Sequence, residues 1–445
     1  MSMRSPRSAA AKGIALAAAL LWLAAFPAAH CQSAPDSPAH LQAASRDDGS
    51  RFIVLAVTNA PATAMIRAGG TLRAYPAGNA YGVSDAARRT LRALARKYRL
   101  QPVAVWPIAL LQMQCAVFAI PDEVTREQLL ASLQGDRRVA LAEPLNTFAL
   151  QSAAPPARDT AVADPYASVQ AGNERMSISA AHHLATGRGI RIALVDTGID
   201  SSHPDLRGRV DVQRNFVDRD AQQFQRDRHG TAIAGVLAAN AGNGQGIVGV
   251  APDAQLLALK ACWQLQPDRD EARCNSFTLA QALASAVELK AQIINLSLTG
   301  PPDPLLAALA EQAMRKGIVI VGPGTATPSF PGGLAQVLSV ARSEDHDVAV
   351  STLQAPGRDV LTLAPGGQYG FSSGSSISTA EISGVAALLL SRDSRLDAAR
   401  LHQLLQDASD SRDTSSGPSR SVNACHAVAQ LVAGADCGAL TVQVH

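Results

Sequence analysis

The chain has 445 residues, enough for two or three folded units with their own cores. Its formal net charge at pH 7 is only +2, so charge gives no reason to expect nucleic acid or an acidic membrane surface as a partner. Six cysteines fit an oxidising compartment.

The first 31 residues have the layout of a secretory signal peptide. Basic residues precede an apolar run over residues 13–26, and small residues follow. This run is too short for an ordinary membrane span, and no later stretch could cross a bilayer. The sequence therefore predicts a secreted or periplasmic protein. Lipidation of Cys31 is the weaker alternative, because His30 stands where a small residue is expected.

Residues 32–50 are small and polar and are interpreted as a linker. Residues 51–150 then show the order β-α-β-β-α-β, which is typical of a small ferredoxin-like α+β unit. The strand patterns cover residues 51–57, 103–106, 113–120 and 139–143, and the helical patterns cover residues 84–98 and 125–133. An independent binding domain of this topology is one interpretation of the segment.

Residues 151–177 contain two consecutive prolines and little apolar periodicity, so they are predicted to be an exposed connection in which processing would occur. From residue 178 to residue 437, short apolar strands alternate with helices. Alternation of this kind predicts an α/β domain in which helices cover both faces of a parallel sheet. Residues 438–445 are assigned to a C-terminal tail.

Three motifs in the 178–437 segment combine into a catalytic hypothesis. A buried-type strand ends at Asp196, His229 precedes a Gly-Thr turn, and Ser376 opens an apolar helix. A serine hydroxyl becomes a strong nucleophile when a histidine takes its proton and a carboxylate orients that histidine. Taken alone, Ser376 is better explained as a helix cap, because serine is among the commonest residues at that position.

These motifs, in this order and at this separation, resemble those of the subtilisin-like serine proteases, or subtilases. The resemblance runs from about residue 178 to residue 433 and includes the segments 246–252 and 295–298. It implies a subtilisin-like fold and a serine endopeptidase that acts on protein or peptide substrates without a cofactor. The triad implied by the resemblance is Asp196, His229 and Ser376. An acyl-transfer enzyme that acts on esters through the same triad is an alternative.

The resemblance also implies a role for the N-terminal unit and a set of substrate-binding residues. Many subtilases carry a propeptide that assists folding and blocks the cleft, and residues 51–150 are similar to it. One wall of the pocket for the residue before the scissile bond would then consist of Ser297, Leu298, Thr299 and Gly300. Gly322 and Pro323 would form the other wall.

The main departure from the family pattern concerns the oxyanion hole. Subtilases have an asparagine just after a glycine whose equivalent here is Gly324, and its amide donates to the oxyanion. Thr325 takes that position in this chain. Loss of such a donor costs about 10²–10³ in turnover. A non-catalytic or weakly active binding protein on a subtilase scaffold is therefore the alternative function.

The cysteines predict two short-range disulfides, and Cys31 and Cys115 remain unpaired. The two pairs flank polar loops and are Cys262 with Cys274 and Cys425 with Cys437. No metal site is predicted. Many subtilases hold structural calcium near the equivalent of residues 240–245, but this loop has no carboxylate cluster, so calcium stays an open alternative.

One further motif, three histidines and a glutamate resemble functional features but are interpreted as structural. Asp196-Thr197-Gly198 also matches the aspartic-protease motif. An aspartic protease needs a second such motif, whose carboxylate shares the proton, and the sequence has no other Asp-Thr-Gly. His182, His183 and His203 are predicted to be surface residues. Glu381, inside the serine helix, could cap it or line a cleft, and a structural role is favoured.

Overall fold

The computed structural model describes residues 49–59, 84–150, 164–218, 220–266, 271–325, 327, 329–346, 348–349, 351–414 and 417–437. The predicted signal peptide with Cys31, nearly all of the first linker, the first half of the processing segment and the C-terminal tail lie outside the described residues. Among those residues, no helix is both long and apolar enough to span a membrane.

The N-terminal domain, residues 49–59 and 84–144, is an antiparallel sheet with two helices. Its elements are β1 (Phe52–Thr58), α1 (Asp85–Lys97), β2 (Gln101–Ile108), β3 (Met113–Ala119), α2 (Arg126–Gln134) and β4 (Leu141–Pro144). The strand order is β2-β3-β1-β4. Side-chain caps start both helices, since Ser84 accepts from the Ala87 N–H and Thr125 forms a capping box with Gln128.

The next strand, β5 (Thr147–Leu150), lies outside that sheet. It pairs antiparallel with β10 (Ala272–Asn275) on one side and with β12 (Leu298–Thr299) on the other. The complete order of this second sheet is β12-β5-β10-β9, in which β9 spans Cys262–Gln264. The 51–150 segment therefore contributes to two sheets, one of which it shares with the 178–437 segment.

The centre of the molecule is a seven-stranded sheet in which every neighbouring pair is parallel. Its order is β15-β14-β13-β11-β6-β8-β7. These strands are β6 (Arg191–Asp196), β7 (Val210–Asn215), β8 (Gln255–Lys260), β11 (Ile293–Leu296), β13 (Val319–Pro323), β14 (Leu338–Arg342) and β15 (Leu353–Ala355). The predicted parallel α/β sheet is confirmed.

Alternate residues of β6 point into different cores, as expected for a strand with helices on both faces. Ile192 and Leu194 belong to one core, with α6 (Arg228–Ala238) and α9 (Ser375–Arg392). Ala193 and Val195 belong to the other. That second core contains α7 (Ser276–Glu288) and α8 (Pro304–Arg315).

The remaining described elements are short. They are α3 (Ala171–Arg175), α4 (Ile178–His182), α5 (Ala221–Arg226), α10 (Ala398–Asp407) and α11 (Ala424–Ala429), with the hairpins β16 (Val360–Ala364) to β17 (Gln368–Ser372) and β18 (Ser409–Thr414) to β19 (Gly417–Val422). Local capping explains where predicted boundaries move. Helix α7 starts at Ser276 and not at residue 278, because Asn275 forms a capping box with Thr278.

Both predicted disulfides are present. Cys262 is bonded to Cys274 and Cys425 to Cys437, and each pair is separated by 12 positions. Cys115 is a buried free thiol in β3, and burial raises its pKa above the usual range. The thiolate is thereby disfavoured.

Candidate active site

Two of the three predicted catalytic residues are joined by a hydrogen bond. Asp196 is the last residue of β6, and its Oδ1 accepts from His229 Nδ1 at 2.7 Å and from the Thr197 N–H at 2.6 Å. Both side chains are buried, with 0% and 1% exposed surface. Because a carboxylate can only accept, Nδ1 carries the proton and Nε2 is the basic nitrogen of His229.

Two glycines allow the Asp196 turn and the His229 helix to pack closely. A Cβ atom on Gly198 would lie 2.2 Å from the Phe224 carbonyl oxygen, and one on Gly230 would lie 2.4 Å from the Gly198 oxygen. The Thr197 hydroxyl accepts from the Gly230 N–H at 2.9 Å. The Asp-Thr-Gly and His-Gly-Thr motifs are therefore complementary packing surfaces.

A buried ion pair supports the same turn and was not foreseen from the sequence. Asp227 stands at the N-cap position of α6, and its carboxylate accepts from the Gly198 N–H at 2.8 Å, while Lys260, at the end of β8, donates to the same carboxylate. Burial raises the pKa of Asp227, and the Lys260 ammonium opposes that shift. A lone lysine in the apolar strand Gln255–Lys260 was the available signal.

Ser376 lies at the start of α9. This helix begins at Ser375, after Gly374 with a φ of 150°, and it packs against the His229 helix α6. Ser376 is buried, and its hydroxyl donates to the Ser297 carbonyl at 3.0 Å. The first turns of two packed helices therefore carry the histidine and the serine, at helix ends that favour negative charge.

The predicted substrate-binding residues line an extended segment of the same chain. Leu298 pairs with Leu150 and Thr299 with Ala149 in the ladder between β12 and β5. At Gly300, a Cβ atom would lie 2.0 Å from the Phe148 ring. Ser297 follows β11 and contacts Ser376, so the strand that holds β5 leads directly to the serine.

Phe148 is buried in an aromatic contact at this site. Its ring meets Phe330 edge to face, with centroids 5.8 Å apart. Gly322 and Pro323, assigned to the other wall, are buried in β13. A Cβ atom on Gly322 would lie 2.4 Å from the Pro331 ring, next to Phe330.

Thr325 directs its hydroxyl into its own loop. The hydroxyl donates to the Thr327 carbonyl at 2.6 Å and lies 2.6 Å from the Ser329 hydroxyl. Since a threonine hydroxyl has one proton, donation to an oxyanion requires the side chain to rotate away from Thr327. The residue is exposed, so the surroundings leave it free to do so.

In the loop of residues 240–245, where related proteins hold calcium, the polar side chains form hydrogen bonds with other residues of the protein. The Asn243 amide donates to Asp205 Oδ1 at 2.8 Å, and Asp205 Oδ2 accepts from the Ile247 N–H at 3.0 Å. Asn240 Oδ1 accepts from Arg209 at 2.6 Å. The oxygens of Asp205 and Asn240 thus face N–H groups, and this arrangement does not fit a calcium ion, which needs six to eight oxygen ligands. In the described part of the chain, no three acidic, histidine or cysteine side chains form a metal cluster.

The surface prediction was wrong for His203. Its side chain is buried against the Tyr369 ring, with Nε2 3.0 Å from the Gln368 carbonyl and Nδ1 accepting from the Asp205 N–H. His183 is exposed and His182 is half-buried. Glu381 is buried in α9, and burial raises its pKa well above the usual range.

Comparison with known proteins places this site in a family. A model of the subtilase family matches residues 187–424. Thermitase from Thermoactinomyces vulgaris is 33% identical over 244 residues, which are 52% of this chain and 85% of thermitase. An intracellular serine protease from Paenibacillus polymyxa is 34% identical over 240 residues, 49% of this chain and 72% of that protein.

A solved structure resembles the fold. The crystal structure of fervidolysin from Fervidobacterium pennivorans, described as a keratinolytic enzyme related to subtilisin, superposes with a TM-score of 0.64 at 18% identity. The match covers 85% of this chain and 60% of that chain. Because the family model spans more than half of the 445 residues, the chain belongs to the subtilase family of serine proteases.

Proposed function

We propose that the chain is an exported serine endopeptidase, synthesised as an inactive precursor, that cleaves peptide bonds through an acyl-enzyme on Ser376. The observation that carries the proposal is the buried 2.7 Å hydrogen bond from His229 to Asp196, next to the helix that begins with Ser376. Export rests on the signal-peptide pattern of the first 31 residues.

In this mechanism, His229 Nε2 takes the Ser376 proton as Oγ attacks the substrate carbonyl. Asp196 keeps the proton on Nδ1 and stabilises the imidazolium that forms. The imidazolium then protonates the leaving amine, the carbon–nitrogen bond breaks, and the acyl group remains on Ser376. Water, activated by the same histidine, hydrolyses the ester and restores the serine. The hydroxyl must first leave the Ser297 carbonyl.

Oxyanion stabilisation is assigned mainly to backbone at the start of α9. The Ser376 N–H lies in the first turn, where backbone dipoles favour the negative charge of a tetrahedral intermediate. Thr325 contributes only after its hydroxyl leaves the Thr327 carbonyl. We therefore expect slower turnover than in an enzyme with an amide donor at this position.

The N-terminal domain is proposed to inhibit the precursor. Strand β5 lies as an extended substrate would, between β10 and β12. The domain also docks on the N-terminal ends of α7 and α8. Asn146, in the link from the domain to β5, contacts Ser276 and Asp303 there, and Trp106 of the domain meets Phe277 edge to face with ring centroids 4.4 Å apart. A docked domain that fills the substrate strand position leaves no room for another peptide.

The test is hydrolysis by the purified mature protein. We expect it to cut an unfolded protein at internal bonds, with no effect of chelators, and a Ser376→Ala variant to be inert. A panel of peptide and ester substrates at equal concentration separates this function from an esterase. Cleavage of esters alone, or activity that survives Ser376→Ala, would contradict the proposal.

A further inference from the structure

The β9–β10 hairpin forms one side of the slot that holds β5. Cys262 in β9 faces Cys274 in β10, and a disulfide joins the two buried residues with their Cα atoms 4.2 Å apart. On its other side, Cys274 faces Phe148 of β5. The crosslink therefore lies on the strand that would pair with a bound peptide.

When β5 leaves, β10 keeps only β9 as a neighbour in the described sheet. A two-stranded ladder of three residue pairs is marginal in water, and ordering one residue costs about 1–2 kcal/mol of conformational entropy. Without a further restraint, an incoming peptide would have to order the strand on which it pairs. That cost would reduce its affinity.

Both strands of the hairpin are also anchored outside the ladder. On β9, the Gln264 side chain accepts from the Arg228 N–H at 3.0 Å, which attaches the strand to the His229 helix. On β10, Asn275 caps α7. Between these points the disulfide connects β10 to the anchored strand directly opposite the residue that β5 contacts.

We propose that the Cys262–Cys274 disulfide is a positioning element that keeps β10 ordered in the empty cleft, so that the enzyme binds extended peptides tightly. The inference rests on the proposed endopeptidase function and extends it to substrate class. The gain in affinity applies to substrates with several residues before the scissile bond, since only these reach β10. Short substrates that contact Ser297 and Ser376 alone gain nothing from it.

The second disulfide is a matched control. Cys425 and Cys437 are also 12 positions apart, so the chain-entropy account gives both bridges the same effect on the unfolded chain. They belong to the core on the opposite face of the central sheet. A loss that follows from stability alone should therefore be similar for the two bridges.

The experiment compares three secreted, mature proteins, which are wild type, C262S/C274S and C425S/C437S. Each is given a peptide with four or more residues before the cleaved bond and an N-acyl ester of a single amino acid. We expect C262S/C274S to raise KM for the peptide about tenfold or more, the equivalent of ordering one residue. Its kcat, and its KM for the ester, should match wild type, and C425S/C437S should change neither KM.

A C262V/C274V variant keeps apolar packing at the site if serines there prevent folding. Wild-type KM for the peptide in either folded cleft variant would overturn the proposal, and so would an equal rise in C425S/C437S. Failure of both cleft variants to fold, where the remote variant folds, would also overturn it, because the bridge would then serve the domain as a whole. A wild type that cuts neither substrate would instead refute the proposed function, and this inference with it.

Discussion

The two halves of the proposed active site are built very differently. In the acid–base half, Asp196 and His229 are buried and hydrogen-bonded to each other, and a buried Lys260 pair supports their turn. In the oxyanion half, Thr325 is exposed, and its hydroxyl donates its only proton to the Thr327 carbonyl in the same loop. Asp196 and His229 are thus held in place before substrate binds, whereas side-chain stabilisation of the oxyanion needs a rotation of Thr325.

This difference indicates which step limits the enzyme. Preorganised donors are effective because they need no reorganisation during the reaction, and a rotating hydroxyl lacks that advantage. We therefore expect an enzyme whose triad behaves normally and whose turnover is limited by stabilisation of the tetrahedral intermediate. Substitutions at Ser376, Asp196 and Thr325 separate the two halves, and one at Glu143 tests how the N-terminal domain docks beside them.

Removing the nucleophile should have the largest effect. Ser376→Ala should lower kcat by about 10⁴–10⁶, because the acyl-enzyme cannot form. Ser375→Ala, one position earlier in the same helical turn, should stay within a few-fold of wild type. Equal losses in the two variants, measured in initial rates on one peptide, would show that the turn matters and the Ser376 hydroxyl does not.

Neutralising the orienting carboxylate tests the acid–base half. Asp196→Asn should lower kcat by about 10⁴, because an amide does not hold His229 in the required tautomer. Asp200→Asn is the control, since Asp200 is also buried but accepts from Ser202 and Gly366. Asp200→Asn should lower the free energy of unfolding and leave kcat of the folded enzyme nearly unchanged. A small effect of Asp196→Asn would remove the basis for calling this half preorganised.

Restoring an amide tests the oxyanion half. Thr325→Asn should raise kcat by about 10–100-fold, part of the 10²–10³ associated with such a donor. Thr325→Ala should change kcat less than about threefold, because the threonine proton is already used on Thr327. A hundredfold loss in Thr325→Ala would mean that the hydroxyl does donate to the oxyanion and that the two halves are equally prepared.

The pH dependence of domain docking should give the smallest effect. Glu143 is buried against α8, where its Oε2 accepts from the Leu305 N–H at 3.3 Å. Burial and the neighbouring Asp303 carboxyl raise the pKa of Glu143 to about 9. The folded form therefore holds an extra proton between the ordinary carboxyl pKa, near 4.5, and about pH 9, so stability falls as pH rises through that window.

This pH effect is measurable in the uncleaved Ser376→Ala background. Between pH 5 and pH 9.5, adding Glu143→Gln should reduce the loss in Tm by at least about 4 °C, since glutamine stays neutral. The exposed Glu123→Gln should leave the loss unchanged. Identical pH dependence with and without Glu143→Gln would show that this carboxyl does not retain a proton in the docked state.

Much of this architecture can be predicted from the sequence, because the local preferences for strands, helices and caps agree with the pattern of buried residues. Alternating apolar strands and helices predict the parallel sheet, and the segment 304–315 starts and stops at residues that cap helices. Asp196, His229 and Ser376 are recognisable because each stands beside a glycine or small-residue turn. Their joint motif carries more information than any one of them.

Other features depend on contacts that local patterns do not encode. Strand β5 has the pattern of any short strand, and its partners lie more than 120 positions further along the chain. His203 is buried because Tyr369 and the Gln368 carbonyl enclose it. The direction of the Thr325 hydroxyl follows from a loop that returns to Thr327. Tertiary contacts decide all three.

The most direct test of the central claim is the intact mass of the secreted protein, with wild type beside Ser376→Ala. If the chain is a peptidase that matures itself, wild type loses the N-terminal domain by cleavage before about residue 175, and Ser376→Ala keeps it. If both proteins keep the domain, or both lose it at the same bond, the triad does not cut its own chain, and the proposal of a self-maturing endopeptidase is contradicted.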